Sequence, residues 1–332
     1  MSGAPILTIA IPTYNRSRYL DMALDSIRAA LNELDETGRA AVDIFISDNC
    51  SPDDTPAVVA RHLDLPARRV IAVRNDSNVG PDRNVRQCYR SAETPYVWIL
   101  GDDDVILPGG IAKVLAALAD GTADIVYAES YGYSDDHKRT PLHRFTRGKT
   151  VEYRNALDFA RRTHVKLTYL SAVIVKTGVD LTPYLGVLDD SFLGQFGWVL
   201  QLLAGGRKFV VIDDWIVAGK IDNSGGYNVV KVFAANLARI TQTILHNAPT
   251  LAAVIENGAI VAFFPRIIVQ SRRAKADSEE CSAIGAELAK AFGNNWRRRV
   301  FLAPLLVLPL PLAKAYRVLL ALTQRLLGRF LI

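Results

Sequence analysis

Short apolar runs alternate with segments of helical periodicity along the first 130 residues of the chain. Short runs rich in β-branched and aromatic residues predict strands, and apolar residues spaced three and four apart predict helices. The predicted strands are Ile6–Ile11, Asp43–Ser47, Arg69–Val73, Tyr96–Leu100 and Asp124–Tyr127, and the predicted helices are Arg18–Leu34, Thr55–His62, Asn84–Ser91 and Gly110–Ala119. This alternation is typical of an α/β fold with a Rossmann-like, mostly parallel sheet and crossover helices.

The pattern changes in the second half of the chain. Glu129–Val151 has the polar and aromatic composition of a loop or of an antiparallel excursion. Regular patterning returns near Leu170–Val175, followed by a predicted helix at Phe192–Ala204 and a predicted strand at Lys208–Ile212. Helices are then predicted at Val229–Leu245, Thr250–Gln270 and Glu279–Phe292. We therefore predict an α/β domain over residues 1–225, a helical region over 226–295 and a separate tail over 296–332.

The net charge of +5 is distributed unevenly along the chain. Of the 39 lysines and arginines, eight follow residue 287 and no acidic residue does, which leaves 31 basic against 34 acidic residues before it. The excess of basic over acidic residues therefore lies in the tail. The sequence lacks basic stretches interleaved with aromatic residues, so nucleic acid is not an expected partner.

The tail has the pattern of a membrane-surface segment. Val300–Ala313 is apolar but only 14 residues long and is broken by prolines, whereas a membrane-spanning helix needs about 20 apolar residues. On a helix over Lys314–Ile332, the polar residues fall within roughly 140° of arc; they are Lys314, Arg317, Gln324, Arg325 and Arg329. A basic amphipathic helix predicts an anchor on an anionic membrane surface. The alternative is a helix packed on its own domain or on a second subunit, and the helical region makes a homo-oligomer possible.

The cysteines and the N-terminus indicate a cytoplasmic protein. Cys50, Cys88 and Cys281 are scattered and lack the paired spacing of a zinc site or a disulfide framework. The first apolar run, Ile6–Ile11, is too short for a secretion signal and Pro12 ends it. We therefore expect a reducing compartment.

Three consecutive carboxylates, Asp102, Asp103 and Asp104, follow the predicted strand Tyr96–Leu100 and one glycine. Adjacent carboxylates repel one another and raise each other's pKa, so a cation is expected to share the site. Hard oxygen ligands favour Mg²⁺ or Mn²⁺, which commonly hold substrate phosphates, and a nucleotide diphosphate is therefore the expected ligand. The alternative is an acidic turn before a helix that Pro108 could open.

Polar residues also follow two other predicted strands. They are Pro12, Thr13, Tyr14 and Asn15 after the first strand, and Asp48 and Asn49 after the second. Ligands of open α/β sheets bind beyond the carboxyl ends of the strands, so all three clusters are expected at one edge. The alternative for the first cluster is that Asn15 or Ser17 caps the following helix.

Asp48 is the candidate for a base or ribose contact. The residues after it predict a helix start, with Ser51 as the cap, Pro52 at the first position and Asp54 three residues after the cap. Because Asp48 is not needed for capping, its carboxylate could accept hydrogen bonds from a nucleobase or ribose.

The loop Asn75–Gly80 follows the third predicted strand and carries residues that tolerate unusual backbone angles. Its Asn78 and Gly80, together with Arg83 and Asn84 at the next helix start, form a candidate phosphate-binding group. The alternative is an ordinary strand-to-helix turn.

Four stretches in this order resemble glycosyltransferase family 2 enzymes of the GT-A fold. They are Leu7–Arg16, Ile46–Thr55, Asn78–Gly80 and Val97–Asp104. The family comprises nucleotide-sugar-dependent enzymes of cell-surface polysaccharide synthesis, and the sequence looks most similar to its O-antigen deoxysugar transferases, such as abequosyltransferases. The resemblance implies transfer from a nucleotide-diphosphate sugar to a lipid-linked oligosaccharide at the inner face of the cell membrane.

The resemblance also implies roles for individual residues. Pro12, Thr13 and Tyr14 would flank the nucleobase, and Asp48 would bind it. Asp102 and Asp103 would contact ribose and sugar, and Asp104 would bind the divalent metal on the diphosphate, with Asp102 as a second candidate ligand. A divalent ion would neutralise the charge that develops on the leaving diphosphate.

The sequence departs from the family pattern at the catalytic base. Family 2 enzymes invert the anomeric centre, which implies attack by an acceptor hydroxyl assisted by a carboxylate. The family's Glu-Asp pair would fall at Gly194–Phe196, where Gln195 cannot act as a base. Asp190 and then Asp189 are the candidates, with the alternative that both cap a helix beginning near Ser191. His164 is a further candidate.

Two other functions stay open from the sequence. A sugar-phosphate nucleotidyltransferase would use similar metal chemistry, but it should carry a glycine-rich basic loop where this chain has Pro12–Asn15. A membrane-bound scaffold without catalysis would explain the missing Glu-Asp pair.

Overall fold

The computed structural model describes residues 4–138, 148–221, 227–273 and 278–332. The chain divides into two compact units. The first comprises Met1–Asn155, Leu167–Pro183 and Gly194–Gly225, and the second comprises Ala156–Lys166, Tyr184–Leu193 and Gly226–Ile332. The last boundary between the units falls between Gly225 and Gly226. Two short earlier segments nevertheless belong to the helical unit, and the predicted tail forms one unit with the helical region.

The first unit is built on a mixed sheet, with nine strands in the described part of the chain. The strands are β1 Leu7–Thr13, β2 Val42–Asp48, β3 Arg69–Arg74, β4 Tyr96–Ile99, β5 Val105–Ile106, β6 Ile125–Tyr133, β7 Lys149–Tyr153, β8 Val173–Lys176 and β9 Phe209–Lys220. Their order is β3-β2-β1-β4-β8-β6-β9-β5, and β7 pairs with β9. This arrangement confirms the predicted α/β fold class.

The parallel half of the sheet follows the sequence pattern, and the antiparallel half extends it. β1 is parallel to β2 and β4, and β2 is parallel to β3. β8 lies antiparallel between β4 and β6, and β9 is longer than the predicted Lys208–Ile212. The excursion predicted for Glu129–Val151 includes the end of β6 and the start of β7, which is antiparallel to β9. Residues 139–147 of that prediction lie outside the described residues.

The predicted helices lie close to their observed positions. In chain order the observed helices are α1 Ser17–Asn32, α2 Glu36–Ala40, α3 Thr55–Arg61, α4 Pro81–Arg90, α5 Gly110–Leu118, α6 Ala156–Thr163, α7 Leu185–Leu188, α8 Phe196–Gly205, α9 Leu237–Ile244, α10 Pro249–Gly258, α11 Phe264–Arg273, α12 Ser278–Phe292, α13 Ala303–Val307 and α14 Leu310–Leu331. Of these, α2, α6, α7 and α13 lie where no helix was predicted. Three 3₁₀ turns lie at His164–Thr168, Leu170–Ala172 and Thr182–Tyr184, and π-helical turns lie at Lys231–Asn236, Ala259–Phe263 and Arg298–Leu302.

The core of the first unit fixes the edge of the sheet. α1 buries Leu20, Leu24, Ile27 and Leu31, which recur at helical spacing on one side of the helix. They pack in one hydrophobic cluster with the buried residues of β1, β2 and β4. Each such side chain contributes about 1.5–3 kcal/mol of burial free energy. The carboxyl ends of these strands are therefore held on a rigid support.

The second unit is helical. The run from Pro249 to Arg273 is the one stretch of the described residues whose length and mean hydropathy of 1.7 suit a membrane span. Its most apolar part is 67% buried inside the protein, as expected of a core helix in a folded unit. It therefore gives little support to a transmembrane segment.

Candidate active site

The carboxyl ends of four strands meet at one edge of the sheet in the first unit. Thr13 of β1 lies opposite Asp48 of β2, which lies opposite Arg74 of β3. The end of β4 reaches the same edge, because the Leu100 N–H donates to the Ala10 carbonyl at 2.9 Å. The polar clusters that follow the first, second and fourth predicted strands are therefore brought together.

The aspartate run is bonded directly to the end of β1. The Thr13 hydroxyl donates to Asp102 Oδ2 at 2.8 Å. Arg16 Nη1 lies 3.3 Å from Asp102 Oδ1 and 2.9 Å from Asp103 Oδ2. Arg16 therefore neutralises part of the acidic charge. Sequence reasoning missed this residue, although its position directly after the first polar cluster could have indicated it.

Asp104 is enclosed by groups that the sequence did not indicate. Its Oδ2 accepts hydrogen bonds from the Tyr169 hydroxyl at 2.7 Å and from the Ser171 hydroxyl at 2.5 Å. Its Oδ1 accepts the Lys220 N–H at 3.0 Å. Gly219 makes room for this arrangement, since a Cβ there would overlap the Tyr169 hydroxyl. Tyr169 and Ser171 lie in or beside a 3₁₀ turn, for which the sequence carries no clear signal.

Burial controls the protonation of these carboxylates, of which Asp104 is only 4% exposed. It raises the pKa of Asp102 to about 6, with Arg16 opposing the rise and Asp103 adding to it. Burial and then the Asp103 charge raise the pKa of Asp104 to about 7, against the hydrogen bonds from Ser171 and Tyr169. The pKa of Asp103 is also raised by burial, with Arg16 and Lys220 opposing. A cation at this site would remove the cost of holding the buried charges close together.

The donor set fits a metal ion shared with a ligand. Among the residues that the structure describes, no three His, Cys, Asp or Glu side chains are grouped to hold a metal by themselves. Mg²⁺ typically takes one or two carboxylates and completes its shell with water and substrate phosphates. Two buried carboxylates with raised pKa values, Asp102 and Asp104, match that requirement.

Asp48 stabilises the loop after β2. Its Oδ1 accepts the Ser51 N–H at 2.8 Å, and its Oδ2 lies 3.1 Å from Arg74 Nη1. The predicted helix start at Ser51 is wrong, because α3 begins at Thr55. Asp53, rather than Ser51, binds the first turn, accepting the Thr55 hydroxyl at 2.6 Å. From the capping pattern, Asp48 was assumed to have no structural role. Its contacts with Ser51 and Arg74 show that this assumption is wrong.

The first turn of α1 is capped from the neighbouring loop. Asp53 Oδ2 accepts the Ser17 N–H at 2.9 Å, so the alternative in which Asn15 or Ser17 caps α1 is wrong. Asn15 instead has a positive φ of 56° and donates its N–H to the Ser51 hydroxyl at 2.9 Å. Tyr14, beside Pro12 at the end of β1, is 42% exposed, which leaves part of its ring accessible at this edge.

The loop before α4 is held by asparagine side chains. Asn49 Nδ2 donates to Asn78 Oδ1 at 2.8 Å, and Asn49 Oδ1 accepts the Val79 N–H at 2.9 Å. Gly80 has a φ of 87°, a conformation that favours glycine, and α4 begins directly after it at Pro81. The helix therefore starts three residues before the predicted Asn84.

Arg83 and Asn84 lie in different environments in α4. Arg83 is exposed, whereas Asn84 is buried. The Ser47 hydroxyl donates to Asn84 Oδ1 at 2.7 Å, which ties α4 to β2. Asn75 Nδ2 in the loop donates to the same Asn84 oxygen at 3.3 Å. Asn84 therefore supports the loop, whereas Arg83 lies at the surface.

A buried carboxylate contacts the segment where the family pattern expects the Glu-Asp pair. Asp82 in the first turn of α4 accepts the Gly194 N–H at 3.0 Å. A Cβ on Gly194 would lie 3.0 Å from the same oxygen, so the close approach depends on glycine. Sequence reasoning missed Asp82, because 112 positions separate the two residues.

Asp189 and Asp190 belong to the second unit and lie in the turn after α7. Asp190 is exposed and has a positive φ of 58°. α8 begins at Phe196 after Gln195, so the alternative that both aspartates cap a helix at Ser191 is wrong. His164 is buried, and its burial lowers its pKa to about 3, with Lys166 and Arg162 adding to the shift. This environment favours a structural histidine.

Sequence comparison identifies relatives of the chain. The sequence model described as Glycosyl transferase family 2 matches residues 8–175. Abequosyltransferase RfbV of Salmonella typhimurium is 35% identical over 211 residues, which cover 63% of this chain and 55% of that protein. The GalNAc(5)-diNAcBac-PP-undecaprenol beta-1,3-glucosyltransferase of Campylobacter jejuni is 27% identical over 148 residues, covering 45% of this chain and 44% of that protein. The matched region thus spans about half the length of these curated relatives.

Structural comparison extends beyond the region that is similar in sequence. The crystal structure of S. aureus TarS 1-349 in complex with UDP-GlcNAc has a TM-score of 0.60 and 16% identity. The alignment covers 98% of this chain and 91% of that one. At this identity the likeness concerns the fold, which is the GT-A fold with a helical C-terminal region.

Proposed function

The chain belongs to glycosyl transferase family 2, and we propose that it moves a sugar from a nucleotide-diphosphate donor to a hydroxyl of a lipid-linked glycan. The product would be a cell-surface polysaccharide of the O-antigen type. The observation that carries this proposal is the buried run Asp102–Asp104 where β4 ends, bonded to Thr13 at the edge that also holds Asp48. The relatives named as glycosyltransferases support the same activity.

The donor's nucleoside is proposed to lie along the ends of β1 and β2. Pro12, Thr13, Tyr14 and Asn15 would flank the base. The exposed part of the Tyr14 ring offers a stacking surface, and Asp48 would accept hydrogen bonds from the base. Arg74 Nη1, which lies 3.1 Å from Asp48 Oδ2, would hold that carboxylate in place.

The diphosphate and sugar are proposed to lie between the loop before α4 and the aspartate run. Asn78, Gly80 and Arg83 would line the phosphate side, with Asn84 supporting the loop through its hydrogen bond with Asn75. Asp102 and Asp103 would accept hydrogen bonds from hydroxyls of the ribose and the sugar. Arg16 and Thr13 orient these carboxylates through the hydrogen bonds they donate.

Asp104 and Asp102 are proposed to hold Mn²⁺ or Mg²⁺. When bound, this ion would supply a positive charge for the leaving diphosphate. Tyr169, Ser171 and the Lys220 N–H fix the Asp104 carboxylate, so that its direction is set before a ligand arrives. Such preorganisation avoids reorienting dipoles during the reaction.

Inversion at the anomeric carbon is proposed to use Asp190 as the general base, with Asp189 as the alternative. A base must reach the acceptor hydroxyl while remaining ionised. The exposure of Asp190 suits this role better than the burial of His164. The acceptor oxygen would attack the anomeric carbon from the face opposite the diphosphate and lose its proton to the carboxylate. The bond from that carbon to the diphosphate oxygen would break in the same step, and the nucleotide diphosphate would leave with the bonding electrons.

The tail is proposed to hold the enzyme on the cytoplasmic face of the membrane. α11 packs against α14, and the packed side of α14 includes Ala313 and Leu320. The opposite side is exposed and carries Leu312, Leu319, Leu322 and Leu326, with Leu326 82% exposed. Lys314, Arg317 and Arg325 are on the same helix, and no acidic residue follows position 287. This combination of apolar surface and positive charge complements anionic lipid.

The activity is tested by incubating the purified protein with a panel of UDP, GDP, CDP and TDP sugars, with Mn²⁺, with Mg²⁺ or with EDTA. We expect one donor to be hydrolysed slowly without acceptor, and to be hydrolysed only with a divalent ion. Transfer of a nucleotide to a sugar phosphate would support the nucleotidyltransferase instead. The absence of any metal-dependent nucleotide binding would contradict the proposal.

A further inference from the structure

The turn between α7 and α8 presents two side chains from an unusual backbone. Asp190 and Phe192 have φ values of 58° and 59°, in the left-handed region that non-glycine residues rarely adopt. Phe192 is 40% exposed, and Asp190 is exposed beside it. Such conformations cost free energy and persist where the surroundings fix them, often at ligand-binding sites.

Hydrogen bonds on both sides of the turn fix this conformation. The Ser191 hydroxyl, which is fully buried, donates to the Leu188 carbonyl at 2.6 Å and accepts the Leu193 N–H at 3.0 Å. Asn236 Nδ2 donates to the Ser191 carbonyl at 3.0 Å. Asn236 ends a π-helical turn, a feature frequent at functional sites. These hydrogen bonds therefore hold the backbone that carries the exposed side chains of the turn in one conformation.

A row of aromatic rings supports Phe192 from within the second unit. Its ring centroid lies 5.2 Å from that of Tyr227, at an interplanar angle of 36°. Tyr227 lies 6.5 Å from Phe233, and Phe233 lies 4.7 Å from Phe263. We call Phe192 and Tyr227 the aromatic platform. The row reaches the core at Phe264, which is fully buried and whose ring centroid lies 5.3 Å from that of Phe263. We therefore expect the platform to keep its position without a ligand.

The chemistry of this turn suits a neutral saccharide. A pyranose ring has an apolar C–H face that stacks on the negative face of an aromatic ring. Its hydroxyls donate hydrogen bonds to carboxylates such as those of Asp189 and Asp190. The same two negative charges repel a diphosphate or a lipid phosphate. This chemistry therefore favours a sugar over the charged end of a lipid-linked substrate.

We propose that the aromatic platform binds the terminal sugar of the acceptor, and that Asp189 and Asp190 accept hydrogen bonds from its hydroxyls. This inference rests on the proposed function, since an acceptor sugar has meaning only for a sugar-transferring enzyme. It adds a binding role for Phe192 and Tyr227 and assigns acceptor recognition to the helical unit. The sugar's reacting hydroxyl would be held beside the proposed base.

Saturation-transfer NMR with methyl α- and β-glycosides of glucose, galactose, mannose and rhamnose tests the platform. We expect at least one glycoside to receive saturation through its ring C–H protons from the wild-type protein. Phe192→Ala and Tyr227→Ala should each reduce this signal at least fivefold, and Phe192→Trp should retain it. Leu63→Ala, which removes an exposed apolar side chain from the first unit, should leave it unchanged.

Donor hydrolysis measured on the same proteins separates the two proposals. If wild type and Phe192→Ala hydrolyse the donor equally and only the variant loses glycoside contact, the platform is supported. If no glycoside contacts the wild type, or if Phe192→Ala binds as wild type does, the platform is refuted while the transferase stands. If wild-type protein neither binds nor hydrolyses any nucleotide sugar, the proposed function itself fails.

Discussion

The carboxylates after β4 and those of the turn after α7 are held in opposite ways. Asp102, Asp103 and Asp104 are no more than 6% exposed and receive hydrogen bonds from three separate parts of the first unit. Asp190 in the second unit is exposed, and its backbone rather than its side chain is constrained. One group is buried and preorganised, and the other is accessible.

This difference suits the two chemical tasks that we propose for these carboxylates. Burial strengthens the electrostatic attraction between a carboxylate and a cation that it shares with a diphosphate, because the local dielectric constant is low and water is excluded. A general base must meet a substrate hydroxyl that comes from solution or from a membrane surface. The contrast therefore supports assigning the metal to Asp104 and proton abstraction to Asp190.

The largest effect is expected from Asp104→Asn, which keeps the shape of the side chain and removes its charge. Transfer should fall by roughly 10²–10³-fold, as for the loss of a preorganised electrostatic group. Steady-state kinetics with saturating Mn²⁺ measure the change. Tyr169→Phe is the matched control, because it removes one hydrogen bond to Asp104 and keeps the charge; it should cost only a few-fold. Equal losses in both variants would contradict a metal role for Asp104.

Asp190→Asn should lower the rate of transfer by roughly 10²-fold, the usual contribution of a general base. Metal-dependent donor binding should stay unchanged, since that site belongs to the first unit. Asp189→Asn is the control and should have the smaller effect. If Asp189→Asn abolishes transfer and Asp190→Asn does not, the assignment of the base to Asp190 is wrong.

The tail extends the comparison to a surface that is both exposed and apolar. Leu319→Asp with Leu326→Asp should reduce sedimentation with anionic vesicles about tenfold or more, since each buried CH₂ contributes about 0.8 kcal/mol. Arg317→Gln with Arg325→Gln should give a smaller loss that high salt masks. Equal binding to neutral and anionic vesicles would contradict the proposed attraction between the basic residues of the tail and anionic lipid. A leucine-dependent dimer in gel filtration, without vesicle binding, would assign this surface to a second copy instead.

The smallest effect concerns the stability of the metal-free protein. Folding raises the pKa of Asp102 to about 6 and that of Asp104 to about 7. An aspartate in the unfolded chain has a pKa of about 3.9. Between about pH 4 and pH 7 the folded protein therefore binds more protons than the unfolded chain, and its stability falls as pH rises. Each group contributes at most about 1.4 kcal/mol per pH unit.

Urea unfolding between pH 5 and pH 8 measures this slope. Asp104→Asn should have a shallower slope than wild type, because one of the two titrating groups is removed. Added Mn²⁺ should stabilise the wild type more at pH 8 than at pH 5. Identical slopes in wild type and variant would show that burial of Asp104 does not raise its pKa.

Local patterns predicted the parallel half of the sheet and the meeting of the clusters. Strands such as β1 and β2 are short, apolar and followed by polar residues, so their direction and their carboxyl ends can be read from the chain. The helix caps were predicted less well. Asp53 takes the capping role that was expected of Ser51, and it binds the first turns of both α1 and α3.

The partners of the aspartates could not be predicted, since they come from distant segments. Tyr169 and Lys220 approach Asp104 from 65 and 116 positions away, and a contact of that kind leaves no periodic signal. Asp82 reaches Gly194 in the same way.

Isothermal titration calorimetry with UDP, GDP, CDP and TDP tests the central claim, that the aspartate edge holds a metal shared with a nucleotide diphosphate. Wild-type protein is predicted to bind one of these nucleotides in the presence of Mn²⁺ and to bind it at least tenfold more weakly in EDTA. Asp104→Asn should bind equally weakly under both conditions. Metal-independent binding of equal strength, or a metal effect that survives in Asp104→Asn, would contradict the account.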